Sequence, residues 1–600
     1  MWLDHCVATC LVPLAVWILL SGLDDLFVDL VFFFTRSEVF PWPAGSELET
    51  APERRIAILV PLWREHRVIG QMLEHNLAAI RYSTYDVFVG VYPNDEATRS
   101  AVESAAQSDS RVHMVVGPHD GPTSKGDCLN WTYRRMVQYE TLHGIRFEII
   151  MTHDAEDLAH PESLRLINWF SRDYAMVQVP VLPLPTPARE FTHGLYCDEF
   201  AEFQTKDIPV RQSLGGFLPA NGVGTGFSRS ALDHLAATRG GLVFDPNCLT
   251  EDYENGCRLH TLGYRQVFLP IRFEGRHPVA TREYFPRNFR AATRQRSRWV
   301  AGIALQGWEI HGWRGPWKQV YWLWRDRKGL VGNLLSPFAN GVFLAGLANY
   351  LLSAGAGHPW LFGNLVPAWV ARMCLVTYWI ALAQVCIRCW CCARIYGWRF
   401  AAGAPLRATW GNAVNFIATV AAIRQFSAAR IQRRSMVWRK TDHVYPRARL
   451  GELLVRMRTL APGDVERAAR EIPKGLRIGE YLVQLHMLSE ENLYQALSLQ
   501  AGIPVGLLSN GKVDRLATRT LPVEAVRQWK VLPYRVETGR LHVATADVPS
   551  QELTRELASL SALEIRYCLV RPAEFAKLAR EYLPPTEVHR RDAETQSKTT

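Results

Sequence analysis

The sequence predicts an α/β domain of the nucleotide-binding kind, joined to about three membrane helices and followed by a small α+β domain. Three observations lead there. Two short apolar runs, 54–61 and 85–92, flank a helix-like segment at 68–80; three long apolar stretches are bordered by arginine and lysine; and a seven-residue unit recurs near the C-terminus. At 600 residues the chain exceeds what one core supports, so two or three folded units are expected. A composition 48% hydrophobic with 20 Trp suits an enzyme joined to a few membrane helices. The net charge of +10 favours anionic partners. No zinc-finger, homeodomain or RNP-like pattern accompanies it, so nucleic acid is not an expected partner, and anionic lipid or a nucleotide-sugar accounts for the charge.

The first apolar stretch, 7–20, has no Lys or Arg before it, which is wrong for a secretory signal and right for an anchor. Its continuation, 23–34, sets Asp24, Asp25 and Asp29 among Leu, Val and Phe, so it either extends the helix or lies along the interface. Two further stretches, 329–353 and 366–388, each supply the ~20 residues a crossing needs. Arg325, Arg327 and Lys328 precede the first and Arg388, Arg394 and Arg399 follow the second, placing both outer ends of the hairpin in the cytoplasm. Three spans then put the N-terminus outside and both large soluble parts inside. At 405–426 the apolar pattern is broken by Arg407, Asn412 and Asn415, which predicts an amphipathic interfacial helix, followed by a basic linker carrying Arg430, Arg433, Arg434, Arg439 and Lys440. The twelve cysteines show no disulfide framework; Cys386, Cys389, Cys391 and Cys392 cluster at the end of an apolar helix, where reduced thiols are expected.

In the α/β unit, an apolar run, a helix and a second apolar run make a βαβ pattern. Open parallel sheets hold ligands at the carboxyl ends of their strands, where Glu65 and Asp95 fall. A third run, 147–152, leads into His153-Asp154-Ala155-Glu156-Asp157. Asp154 and Glu156 after a strand suit a hard divalent cation, Mg²⁺ or Mn²⁺, that bridges to phosphate oxygens; acids in a helix's first turn are the structural alternative.

With these residues in view, the segment 54–308 resembles the membrane-bound inverting glycosyltransferases of family 2, the group that includes cellulose and hyaluronan synthases. The matches are VPLWRE with Pro61 and Glu65, Asp95, KGDCLN with Lys125, Gly126 and Asn130, the DxD-like Asp154/Glu156, the TED run Thr250-Glu251-Asp252, and QRSRW with Gln295, Arg298 and Trp299. The resemblance implies a GT-A (Rossmann-like) domain, with Glu65, Asp95, Lys125, Glu251, Gln295, Arg298 and Trp299 binding donor and acceptor, and Asp154 and Glu156 holding the metal. It also implies Asp252 as the general base that accepts the acceptor hydroxyl proton. Only two spans follow QRSRW and no FxVTxK-type gating segment is evident, so a short polymer, or export with a partner, is expected.

Near the C-terminus, Arg449-Leu450-Gly451-Glu452-Leu453-Leu454-Val455 and Arg477-Ile478-Gly479-Glu480-Tyr481-Leu482-Val483 lie 28 residues apart. The repeat resembles the MshEN type of domain found at the start of pilus and type II secretion ATPases, which binds cyclic di-GMP. It implies a ligand set of Arg449, Leu450, Gly451, Leu454, Val455, Arg477, Ile478, Gly479, Leu482, Val483 and Gln500. Ile472 stands in the first copy where Gln500 stands in the second, and Arg458 and His486 occupy small-residue positions. No Walker A run follows, which argues against an ATPase.

The expected organisation is an anchor at 1–35, the transferase at 50–315, a hairpin with interfacial helix at 329–426, a linker at 427–446, the regulatory domain at 447–585 and a disordered tail at 586–600. The whole is similar to the bacteriophage adsorption protein B group of bacterial inner-membrane proteins. That likeness implies a multi-pass inner-membrane transferase with its catalytic and C-terminal domains in the cytoplasm, using a nucleotide-sugar, expected to be a UDP-N-acetylhexosamine. It would extend an exopolysaccharide glycan acceptor, exported with an outer-membrane partner. The competing reading is a catalytically inactive membrane receptor or scaffold that passes a cyclic di-GMP signal to an envelope export complex.

Overall fold

The computed structural model describes residues 2–35, 40–274, 277–357, 365–434, 436 and, with single-residue interruptions and a break at 509–512, 450–583. The first apolar stretch and its acidic continuation form one helix, α1 (Trp2–Thr35). The α/β domain then runs β1 (Ile56–Pro61), α2 (Ile69–Ala79), β2 (Tyr85–Val91), α3 (Glu96–Ser108), β3 (Val112–Val116), α4 (Lys125–His143) and β4 (Ile149–Thr152). After β4 come β5 (Met176–Gln178), β6 (Val181–Pro183), α5 (Phe191–Glu202), β7 (Thr225–Ser228), α6 (Glu251–Thr261), β8 (Gln266–Phe268), β9 (Thr281–Glu283) and α7 (Phe289–Trp299).

The seven-stranded sheet has the order β3-β2-β1-β4-β7-β5-β8. The predicted βαβ unit is present, β1 and β2 pairing in parallel with Ile56 opposite Tyr85. The sheet is mixed because β7 runs antiparallel to both β4 and β5. Successive strand side chains point to opposite faces, so Ile56, Ile58 and Val60 enter one apolar core while Ala57 and Leu59 enter the other. Burial on both faces explains why β1 reads as an unbroken apolar run.

Among the described residues three helices are long and apolar enough to cross a membrane: α1 over Ala8–Thr35, α8 (Trp317–Gly355) and α9 (Ala368–Tyr396). The aspartates of α1 have cationic partners: Asp24 and Asp25 pair with Arg325 and Lys328 of α8, and Asp29 meets Lys206 at 2.7 Å. Glu202 meets Lys206 at 2.8 Å and Arg388 of α9 at 2.6 Å, so the same polar belt ties these long apolar helices to the α/β domain.

The expected interfacial helix corresponds to α10 (Ala404–Ile431), in which Arg407 and Asn415 turn inward while Arg424 and Arg430 stay exposed. Arg407 is 1% exposed and bonded to Asp198 of α5; Asn415 accepts from Arg296 of α7 at 2.7 Å; Trp410 donates to Thr192 at 3.2 Å. Residues that looked water-facing in the sequence dock α10 on the α/β domain. Of the linker cations, Arg439 and Lys440 lie outside the described residues.

In the C-terminal domain, α11 (Leu450–Arg456) and α12 (Ile478–Gln484) carry the duplicated unit, followed by the sheet β10 (Val531–Glu537), β11 (Arg540–Thr545) and β12 (Glu564–Leu569), with β11 central.

Candidate functional site

One cavity opens at the carboxyl ends of β1 and β4. Its wall includes Glu65, Lys125, Asp154, Glu156, Asp252, Gln295, Arg298 and Trp299. Residues up to 234 positions apart thus converge on a single concave surface. Two of the expected group stand just behind it. Asp95 accepts the Arg64 backbone N–H at 2.5 Å, and Glu251 lies 4.0 Å from the Lys125 ammonium.

Each side chain is placed by local structure. Lys125 begins α4, capped by Ser124, whose hydroxyl accepts from the Asp127 N–H at 3.2 Å. Gly126 lets the helix approach the chain at Asp245, where an added Cβ would lie 2.8 Å from the carbonyl oxygen. Asn130 is a brace: its amide donates to Phe244 O at 2.7 Å and its oxygen accepts from Val243 and Phe244 N–H, both at 3.0 Å. Behind Asp154, the buried His153 and Asp157 bond at 2.7 Å, and Asp157 also accepts the Asp154 N–H at 2.9 Å. Trp299 closes α7 against Tyr196, Phe200 and Phe285, with ring centroids 6.0–6.3 Å apart. A π-helical turn, Val300–Gln306, follows at once. Within it Gly302 would place a Cβ 2.4 Å from Thr250 Oγ1, so only glycine lets the turn pack against the TED run.

The charge balance is tight. Lys125 Nζ sits 2.7 Å from Asp154 Oδ1. Burial disfavours its ammonium, but Asp154, Glu251 and Asp252 outweigh that and hold its pKa above the usual lysine value. Burial, reinforced by Asp252, pushes Glu251 up to about 7 against the pull of Lys125. Burial also raises Asp252, opposed by Lys125 and by the Tyr253 N–H, which donates to Asp252 Oδ1 at 2.8 Å.

Asp154 and Glu156 offer hard oxygen donors on the cavity wall, which fits a hard divalent cation completed by phosphate and water oxygens. Among the described residues no three His, Cys, Asp or Glu side chains form a ready-made metal cage.

Sequence reasoning missed Asn221, Glu283 and Phe285 in the wall. Glu283 and Phe285 arrive through the parallel pairing of β9 with β6, which has no local signature. Gly222 was legible in principle within Asn221-Gly222-Val223-Gly224. Its φ is +75° and an added Cβ would lie 2.5 Å from Asp252 Oδ2. Gly222→Ala is therefore expected to push the Asp252 carboxylate aside and to destabilise the fold by about 1–3 kcal/mol through strain at this positive φ, which a melting curve in detergent checks.

In the tail, Gly451 and Gly479 allow close helix packing: an added Cβ would lie 2.6 Å from Val465 and from Leu493, respectively. Leu454 and Leu482 are fully buried in the tail's own core, with Leu450 and Ile478, Val483 packed beside it. Val455 and Gln500 are half-buried. Arg477 is exposed and pairs with Asp547 at 2.5 Å. Arg449 lies outside the described residues.

Residues 52–302 match the family Glycosyltransferase like family 2, and residues 501–589 match the MshEN domain, so the chain joins a family 2 glycosyltransferase domain to an MshEN domain. The second match begins just after the duplicated unit. The chain is 33% identical over 612 residues to Bacteriophage adsorption protein B of Escherichia coli strain K12, spanning 93% of this chain and 79% of that protein. Bacteriophage N4 adsorption protein B of Escherichia coli O157:H7 matches equally. The chain belongs to the bacteriophage adsorption protein B family. Among solved structures it is similar to the mannosyltransferase PcManGT from Pyrobaculum calidifontis in complex with GDP-Man and Mn²⁺, at 16% identity over 68% of this chain and 99% of that one, TM-score 0.41. It is also similar to the structure of MshE with cdg, at 26% identity over 23% of this chain and 99% of that one, TM-score 0.22.

Proposed function

We propose that this chain is a metal-dependent inverting glycosyltransferase of the bacterial inner membrane, its catalytic and C-terminal domains in the cytoplasm. The donor is a UDP-N-acetylhexosamine, the acceptor is a growing exopolysaccharide, an outer-membrane partner exports the product, and cyclic di-GMP acts through the tail. The observation that carries the reading is the single cavity shared by Lys125, Asp154, Glu156, Asp252, Gln295, Arg298 and Trp299.

In this reading Glu65 and Asp95 hold the nucleoside end of the donor at the edge of the sheet. A divalent cation on Asp154 and Glu156 would neutralise the leaving diphosphate. Lys125 and Arg298 face the same diphosphate, Arg298 with the planar fork suited to phosphate oxygens. Trp299 offers an aromatic face to the acceptor sugar. Asp252 takes the proton of the attacking hydroxyl as the glycosidic bond forms and the bond to diphosphate breaks, inverting the anomeric configuration. A sugar hydroxyl is too weak an acid to ionise at neutral pH, and a raised carboxylate pKa brings the base nearer the working pH.

Three candidate spans with Arg388, Arg394 and Arg399 after the last support a cytoplasmic active site. The test offers purified full-length protein a panel of UDP- and GDP-sugars with Mg²⁺ or Mn²⁺, with and without cyclic di-GMP. Incorporation from a UDP-N-acetylhexosamine that stops on chelation is expected. No consumption of any donor with either metal would end the reading.

A further inference from the structure

Among the described residues, the tail's sheet is bonded to the transferase domain at the middle of α2 and the C-terminal turn of α3. Arg540, which opens β11 and is buried, donates to the Ser104 carbonyl, to Ser108 Oγ, to Ser104 Oγ at 3.0 Å and to Gln107 Oε1 at 3.2 Å. Arg566 of β12 pairs with Glu74 of α2 at 3.2 Å and also donates to Ser104 Oγ. Glu564 accepts from both arginines, at 2.9 and 3.0 Å, and holds them as a pair. A guanidinium on the last turn of α3 is favoured by the helix dipole and by its open carbonyls.

The opposite end of α3 lies at the donor edge of the cavity. Asp95 is its N-cap residue, and Thr98 in its first turn accepts the Glu65 N–H at 3.0 Å. Thirteen residues of helix form a stiff rod of about 20 Å between the tail's arginines and the two acids. Within the tail, β11 ends at Thr545, and the next residues reach the second copy of the duplicated unit and the helix after it: Asp547 pairs with Arg477, and Ala546 O accepts from Tyr494 OH at 2.5 Å.

We propose that this interface couples the tail to the donor pocket. A ligand that takes Arg477 from Asp547 shifts β11, and the Arg540–Arg566 grip carries that shift along α3 to Asp95 and Glu65, changing donor affinity. The inference rests on the donor-pocket reading above.

The charge pair allows a swap. In full-length protein in nanodiscs, Glu74→Arg and Arg566→Glu are each expected to change donor KM by about three- to tenfold with kcat retained. Glu74→Gln should change it less and in the same direction. The double variant carrying both reversals should return KM to near wild type and restore its response to cyclic di-GMP, which the single variants lose. Wild-type KM in both reversals, or a swap that fails to restore it, overturns the proposal. If Asp95→Asn leaves donor KM unchanged, the donor-pocket reading fails instead. If wild type ignores cyclic di-GMP while the swap still restores KM, only the ligand assignment is lost.

Discussion

Asp252→Asn is expected to reduce sugar transfer by about 10²–10⁴-fold, the usual contribution of a positioned general base. The substitution keeps shape and removes the negative charge, and with it the proton affinity. The Asn oxygen can still accept the Tyr253 N–H that now reaches Asp252 at 2.8 Å. Lys125 keeps Asp154 at 2.7 Å and Glu251 at 4.0 Å, so its ammonium stays charged and placed. Donor KM should therefore remain near wild type while kcat collapses. A second consequence follows from the electrostatics: the Asp252 charge helps hold Glu251 up to about 7, so its loss lets Glu251 ionise at lower pH. If Glu251 instead served as the base, Asp252→Asn would stay active and Glu251→Gln would be dead. Wild-type kcat in Asp252→Asn, measured by label incorporation at saturating donor, would remove the assignment.

Glu65 and Asp154 could be placed from the sequence because a buried strand writes itself as a short apolar run and leaves its polar residues at the carboxyl end. Ile56–Pro61 and Ile149–Thr152 did so, and Glu65 and Asp154 follow them directly. The three candidate membrane helices were legible for a similar reason, being long and apolar. Charges whose partners lie far along the chain were not. Asp24, Asp25 and Asp29 left open whether their segment lay in the interface, and their cations stand 177–304 residues away. Arg407 marked a break in an apolar helix, but Asp198, 209 residues earlier, meets it inside the protein. The Glu283 wall depends on β9 pairing with β6, two three-residue strands too short to announce themselves.

Arg407→Met should be the most destabilising of the changes considered, and its rescue is the sharper test. Arg407 and Asp198 are each 1% exposed, joined by two bonds of 2.6 and 2.7 Å, with a further bond from Arg407 to the Phe400 carbonyl at 2.8 Å. Gly194 is shaped to this pair, since an added Cβ would lie 2.6 Å from Arg407 Cδ. Burial already raises the Asp198 pKa, and the Arg407 guanidinium is the main force opposing it. Removing Arg407 leaves a desolvated carboxylate, which costs about 3–5 kcal/mol when a buried pair is broken from one side. Pairing the change with Asp198→Leu replaces both charges by apolar groups, a substitution that is often neutral or stabilising. The single variant is thus expected to unfold at clearly lower temperature in detergent, and the double variant to recover most of the loss. The function should follow the packing: α10 also holds Arg296 through Asn415, and Arg296 sits in the turn that carries Trp299. Acceptor KM should rise in the single variant more than donor KM, because α10 braces the helix that carries Trp299, the proposed acceptor platform. A single variant as stable as wild type would mean that Asp198 finds another partner or a proton at no cost, and the buried pair would lose its place as the clamp on α10.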